Sequence, residues 1–160
     1  MIAQKVLTIE ETVAAREAWR RQGEVVVFTN GCFDLIHVGH VRYLAQARSL
    51  GDHLVVGLNG DESVCRLKGP GRPVTPEDER AEILAALEAV DAVTLFRQDT
   101  PLELIKLLSP DVLVKGDDWA PNAIVGREHV AAGGGRVVTI PVVAGRSTSR
   151  LLQLMGARRP

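Results

Sequence analysis

From Val25 onward the chain alternates short apolar runs with longer stretches whose apolar residues recur every three or four positions. Continuous runs of four to eight apolar residues suit strands buried on both faces, and the three-to-four spacing suits helices lying against them. The pattern predicts strands at Val25–Phe28, His53–Leu58, Ala92–Phe96, Val112–Val114 and Val137–Ile140. Between them it predicts helices from about Val41 to Leu50, from Thr75-Pro76 to Val90, from Thr100-Pro101 to Leu108, and from Gly126 to Ala132, with a last one from Ser147 to Met155. Ile83, Leu87 and Val90 share one helical face, and Gly133-Gly134-Gly135 stops the 126–132 segment. Threonine before proline suits a helix start, because the hydroxyl caps and proline fits the first turn. Ahead of the first strand, Thr8 and Glu11 have capping-box spacing for a helix through Arg21, and Gly23 follows as its stop. Strands alternating with helices in this way imply a parallel sheet covered on both faces.

The 160 residues are 46% hydrophobic and 24% charged, enough for one sizeable core. We expect a single domain over residues 1–160, with 1–23 as an N-terminal helical extension. The net charge of −1, with Arg158-Arg159 the only terminal basic cluster, leaves no broad electrostatic footprint for nucleic acid. Cys32 and Cys65 are too few for a disulfide scaffold or a zinc site. No apolar stretch reaches the roughly 18 residues of a membrane span, and the opening residues lack the apolar core of a signal peptide. A cytoplasmic protein with no membrane partner is the expectation.

Candidate chemistry concentrates where the first strand runs into the next helix. There the chain reads Asn30-Gly31-Cys32-Phe33-Asp34-Leu35-Ile36-His37-Val38-Gly39-His40. A helix start offers unpaired N–H groups and a positive dipole end to an anion, and Gly39 lets a ligand approach the backbone closely. His37 and His40, three residues apart, can point at one bound anion. Two of the four lysines, Lys68 and Lys115, precede glycine just beyond strand-like segments, so Lys68-Gly69 and Lys115-Gly116 are candidates for charge aimed into the crevice at the strands' carboxyl ends. A nicotinamide dehydrogenase would carry Gly-x-Gly-x-x-Gly after the first strand, which this chain does not. A zinc hydrolase would space its helical histidines four apart and supply a third ligand. A non-catalytic nucleotide sensor would lack the phosphate-handling set.

The run from Gly31 to His40 closely resembles the Gly-x-Phe-Asp-x-x-His-x-Gly-His signature of the nucleotidyltransferases related to cytidylyltransferases. That resemblance implies a Rossmann-like three-layer sandwich, an α/β fold with a five-stranded parallel sheet and helices on both faces. Arg66-Leu67-Lys68-Gly69-Pro70-Gly71-Arg72-Pro73-Val74, then Glu79-Arg80 and Leu87-Glu88-Ala89-Val90-Asp91, look like the heptose 1-phosphate adenylyltransferases, and the likeness runs from about Val25 to Leu152. Those enzymes commonly form the second half of a bifunctional heptose kinase/adenylyltransferase. With no kinase half in this chain, a stand-alone adenylyltransferase is implied.

On this resemblance the substrates are ATP and heptose 1-phosphate, with Mg²⁺ accompanying ATP and bridging its triphosphate, and no protein ligand set is assigned to the metal. His37, His40, Lys68 and Arg80 are implied to be catalytic. Asn30, Gly31, Cys32, Phe33, Gly39, Lys115, Gly116, Ser147 and Thr148 are implied to join the histidines in binding the nucleotide. Asp34, Lys68, Asp118 and Trp119 are implied to face the acceptor, although Asp34 in a loop also suits bonding to backbone N–H groups. Gly116-Asp117-Asp118-Trp119 resembles the acceptor-binding segment of cytidylyltransferases, where heptose enzymes tend to show Gly-Gly-Asp-Tyr. Gly145-Arg146-Ser147-Thr148-Ser149 corresponds to the family's Gly-Ile-Ser-Thr-Ser/Thr. Cytidylyltransferases typically precede it with Arg-Thr-Glu, whereas this chain has Val142-Val143-Ala144, which favours ATP over CTP. The alternatives are a cytidylyltransferase acting on glycerol phosphate or another small phosphate, or a nucleotide-binding sensor. A homo-oligomer is expected.

Overall fold

The computed structural model describes residues 4–142 and 147–157. In chain order the elements are β1 (Val6–Leu7), α1 (Ile9–Arg21), β2 (Val26–Gly31), α2 (Val38–Arg48), β3 (His53–Asn59), α3 (Asp61–Lys68) and α4 (Glu77–Ala85). They continue with β4 (Ala92–Phe96), α5 (Leu102–Leu108), β5 (Val112–Gly116), α6 (Arg127–Ala132), β6 (Arg136–Ile140) and α7 (Thr148–Ala157). The strands form one sheet in the order β1-β4-β3-β2-β5-β6, and every pairing is parallel. The expected five strands are therefore joined by a sixth. β1 pairs Val6 with Val93 and Leu7 with Thr94, and two residues are too short to leave a period in the sequence.

Alternate strand residues feed two cores. Val27, Leu54, Val56, Leu58, Val112 and Val114 pack on one face against Leu44 and Ala47 of α2 and Ala81, Leu84 and Ala85 of α4. On the other face Val26, Phe28, Val55 and Leu113 meet Leu104, Ile105 and Leu108 of α5 and Val130 of α6, with Val13 and Trp19 of α1 beside them. Central strands covered on both sides explain why the runs are continuously apolar.

The capping box of α1 is present: Glu11 N–H donates to Thr8 Oγ1 at 3.1 Å and Thr8 N–H to Glu11 Oε2 at 2.8 Å. Elsewhere the helices depart from the pattern. α4 is shorter than expected, ending at Ala85, and Leu87 and Val90 follow it in turns. α4 and α5 place Pro76 and Pro101 at the cap position with no side-chain cap bond, where a threonine cap was expected. α3 left no apolar period because only Ser63 and Val64 of its eight residues are buried.

One detail of register shapes the rest. β2 pairs with β3 over its whole length, from Val26 to Gly31, but with β5 only at Val27 and Phe28. β5 continues to Gly116 on β6. Beyond Phe28 and Leu113 the two central strands part, at the place where strand order reverses, and a crevice opens between their carboxyl ends.

Leu84 is fully buried and Leu107 is 58% exposed. Leu84→Ala should cost about 2–5 kcal/mol of stability by urea unfolding, while Leu107→Ala should stay within about 0.5 kcal/mol. Equal losses would contradict the burial pattern.

Candidate active site

The crevice holds a cavity of about 580 Å³, lined by the ends of β2 and β5, the start of α2, the end of α3 and the start of α7. Fifteen of the residues expected to act in catalysis, on the nucleotide or on the acceptor, all but Arg80, line it. Chain segments far apart in sequence therefore converge on one volume.

His37 is the N-cap of α2, and its Nδ1 accepts the Gly39 N–H at 3.1 Å. A neutral His37 then carries its proton on Nε2. Its ring stacks on that of His40, with centroids 3.9 Å apart and planes at 24°. Phe33 backs His40 edge-on at 5.2 Å. To reach that place Phe33 adopts a left-handed backbone, φ 44°, and a side chain at residue 31 would come within 2.9 Å of its ring, so position 31 requires glycine. Burial, then the neighbouring His37, lower the His40 ring to about 4, and among the described residues its buried Nδ1 has no hydrogen-bond partner. His40 is thus neutral at neutral pH. Approach of an anion would favour its protonated form.

Lys115 spans the parted strands. Its Nζ donates to Asn30 Oδ1 at 3.0 Å and lies 5.0 Å from the centre of the Trp119 ring. Burial pulls its ammonium down to about 8, and Asp118 opposes this only in part. Among the described residues it has no ion-pair partner within contact distance, so a half-buried cation faces the cavity only partly offset by Asp118. Lys68, the last residue of α3, is exposed and also lines the cavity. Gly116 packs against the Asp118 carboxylate, and a larger residue there would displace it. Asp117 is committed elsewhere, accepting the Val142 N–H at 2.9 Å. Ser147 Oγ accepts the Arg150 N–H at 3.2 Å, as a helix cap does, and Thr148 Oγ1 donates to Leu35 O at 3.3 Å, tying α7 to the turn after β2. Val143, Ala144, Gly145 and Arg146 lie outside the described residues.

Arg80 is fully buried and does not line the cavity. In place of the expected phosphate contact, its guanidinium donates to the carbonyls of Thr75, Cys32 and Asn59 and to Asp61 Oδ1, at 2.7–2.9 Å. Asp34 is likewise turned inward. Burial works to raise its carboxyl, but N–H bonds from Thr75 and Val74 and the bond from Arg72 outweigh it and hold it below the usual range. Burial pushes the Cys32 thiol up, which keeps it protonated and unsuited to nucleophilic work.

Sequence reasoning missed Tyr43 and Arg72, both of which line the cavity. Tyr43 pairs its hydroxyl with Thr29 Oγ1 at 2.8 Å, and burial raises it to about 12. Its place in the i, i+3 spacing from His40 was a usable signal. Arg72 sits in a Gly/Pro loop with no period to reveal it.

Because the His40 ring is lowered from about 6.5 to about 4, the unfolded state binds more protons than the folded state between those values. Stability should therefore fall as pH drops through that window, and His40→Gln should flatten part of the fall. An NMR titration of His40 with a midpoint near 6.5 would contradict this.

Residues 28–143 match the Cytidylyltransferase-like family. The chain is 53% identical over 155 residues to the bifunctional protein HldE of Methylobacillus flagellatus, covering 97% of this chain and 32% of that protein. It is 59% identical over 137 residues to the bifunctional protein HldE of Syntrophotalea carbinolica, covering 86% and 28%. It thus spans about 30% of the length of these relatives. Among solved structures, a lipopolysaccharide core biosynthesis protein from Thermoplasma volcanium superposes with a TM-score of 0.63 at 25% identity, over 76% of this chain and 98% of that one. A pantoate-beta-alanine ligase from Francisella tularensis, at 14% identity and a TM-score of 0.61 over 90% and 68%, shares the fold. Among the described residues, no helix is long and apolar enough to cross a membrane. With its signature turn, its cavity at the strand reversal and a match over most of its length, the chain belongs to the cytidylyltransferase-like family.

Proposed function

We propose that the chain is an adenylyltransferase that moves AMP from ATP to D-glycero-D-manno-heptose 1-phosphate, releasing pyrophosphate and ADP-heptose for surface-glycan synthesis in the cytoplasm. The observation that carries this reading is the stacked His37–His40 pair at the start of α2, set in the crevice between β2 and β5. The 53–59% identity to HldE proteins supports the choice of sugar phosphate.

The chemistry asks little of the protein beyond placement and charge. An oxygen of the acceptor phosphate forms the new bond to the α-phosphorus as the bond to the β-phosphate bridging oxygen breaks, and that electron pair leaves with pyrophosphate. The nucleophile is already an anion, so no general base is needed, and positioning with electrostatic stabilisation carries the rate. His37 and His40 donate to the triphosphate, Lys68 and Lys115 offset its charge, and Ser147 and Thr148 hold its phosphate end. Asp118 and Trp119 offer an acceptor and a flat apolar wall to the sugar. Among the described residues, no three His, Cys, Asp or Glu side chains are grouped to hold a metal, and the lining is rich in anion-binding donors. That lining fits Mg²⁺ carried by the nucleotide, held through the phosphates by His37, His40, Lys68 and Thr148. When bound, the metal supplies further charge neutralisation.

Pyrophosphate release across a grid of ATP and CTP against heptose, glycerol and ethanolamine phosphates tests the reading. ATP with heptose 1-phosphate should give the highest kcat/KM; a clear preference for CTP or glycerol phosphate would overturn it. His37→Ala and His40→Ala should each lower turnover by roughly 10², the usual scale for losing a preorganised donor, and near-normal turnover in both would remove them from the mechanism. Lys68→Ala should depress kcat whichever sugar phosphate is used, while Asp118→Ala should chiefly raise KM for the sugar phosphate. Equal weakening of ATP by Asp118→Ala would erase the division into phosphate and sugar sides.

A further inference from the structure

The segment 69–75 joins α3, which ends in Lys68, to α4. It contains two glycines at left-handed φ, Gly69 at 95° and Gly71 at 81°, and none of the described residues beyond their chain neighbours lies within 4 Å of where a Cβ would stand on either. At those positions the segment has no packing to hold it. What holds it is a carboxylate. Asp34 Oδ1 accepts the N–H groups of Val74 and Thr75, each at 2.9 Å, and Oδ2 accepts Arg72 Nε at 2.6 Å and the Val74 N–H at 3.0 Å. Its side chain is 1% exposed. Three N–H donors, one of them shared between the two oxygens, are thus bound to this carboxylate. Although Asp34 borders the cavity, its carboxylate is withdrawn from it and committed to the protein, which leaves a sugar hydroxyl little to bond.

The other end of α3 is tied to the same turn. Arg80 donates to Asp61 Oδ1 at 2.7 Å, at the first residue of α3, and to Cys32 O at 2.7 Å, two residues before Asp34. Thr75 is gripped twice, its N–H by Asp34 and its carbonyl by Arg80 at 2.9 Å. Removing one partner of such a buried, charge-assisted set leaves the other uncompensated, so the set acts as one unit.

We infer that Asp34 and Arg72 form a positioning clasp, which fastens the 69–75 segment to the Phe33-Asp34 turn and so sets Lys68 at a fixed distance from His37 and His40. Asp34 is a positioning residue that touches no substrate, and Arg72 is its partner. The role of Lys68 in this inference rests on the proposed adenylyl transfer; the clasp itself does not.

Two measurements separate these parts. In Asp34→Asn the amides of Val74 and Thr75 should exchange with deuterium at least ten-fold faster than in the wild type, with those of the β3 interior unchanged. Unchanged protection of both amides would overturn the clasp whatever the substrate. Kinetically, Asp34→Asn and Arg72→Gln should each lower kcat by about 10–10², the cost of displacing a catalytic group by about 1 Å, with KM for ATP and heptose 1-phosphate within three-fold. Adding Lys68→Ala to either should lower kcat little further, because all three changes remove the same placed charge. Arg72→Lys should restore part of the rate. Full additivity, or a rise confined to KM for the sugar phosphate, would make Asp34 a substrate-reading group instead. Arg72 is 17% exposed, so its variants carry the test if Asp34→Asn does not fold. A wild type inactive with heptose 1-phosphate would refute the proposed acceptor, and the exchange measurement would still decide the clasp.

Discussion

β2 and β5 stop pairing after Phe28 and Leu113, and everything the site does is built in the gap that opens beyond them. Up to that register the two strands are ordinary neighbours in a parallel sheet. Past it, β2 continues on β3 and β5 on β6, so each turns its last residues toward the crevice. A gap between strands would leave backbone polar groups without ladder partners, which costs free energy unless something else takes the bonds. Lys115 does part of that, its Nζ reaching across to the Asn30 carbonyl at 3.4 Å as well as to its side chain. The same reach puts a cation on the wall of the cavity.

The walls of the crevice are fastened by buried charge more than by apolar packing. Arg80 and Asp34 are both withdrawn from solvent, and between them they tie the turn after β2, the start of α3 and the approach to α4. Loops carrying binding groups are usually the mobile part of a fold. Here the turn after β2 and the segment before α4 are bonded through their backbones to the buried charges of Arg80 and Asp34. The groups proposed to bind phosphate can then be preorganised although they sit on connections.

The electrostatics follow from the same geometry. Among the described residues, the neutral histidine of the cavity has a buried Nδ1 without a partner and its lysine has no ion pair. Both are held in their less-charged direction by burial, and both states are relieved by an arriving anion. A site lined this way favours polyphosphates over neutral ligands. It also makes the first histidine of the pair an architectural group, since His37 caps the helix that carries His40.

Much of this was legible in the chain. Apolar runs located the five long strands, because strands covered on both faces must be apolar throughout, and Ala92–Phe96 matched its predicted bounds. The capping box at Thr8 was readable because both its bonds are local in sequence. The Gly31–His40 turn could be read as an anion site because a strand end, a glycine and a helix start are adjacent in the chain. What sequence could not decide was which charges face inward. Arg80 and Asp34 looked like site residues, and only the tertiary structure shows their bonds going to Thr75, Cys32, Asn59, Val74 and Asp61. β1 and α3 were equally silent, one too short for a period and the other too polar. Local pattern records which face of an element is buried; partners from 19 to 48 residues away, as for Arg80, are chosen by the packing of the whole sheet.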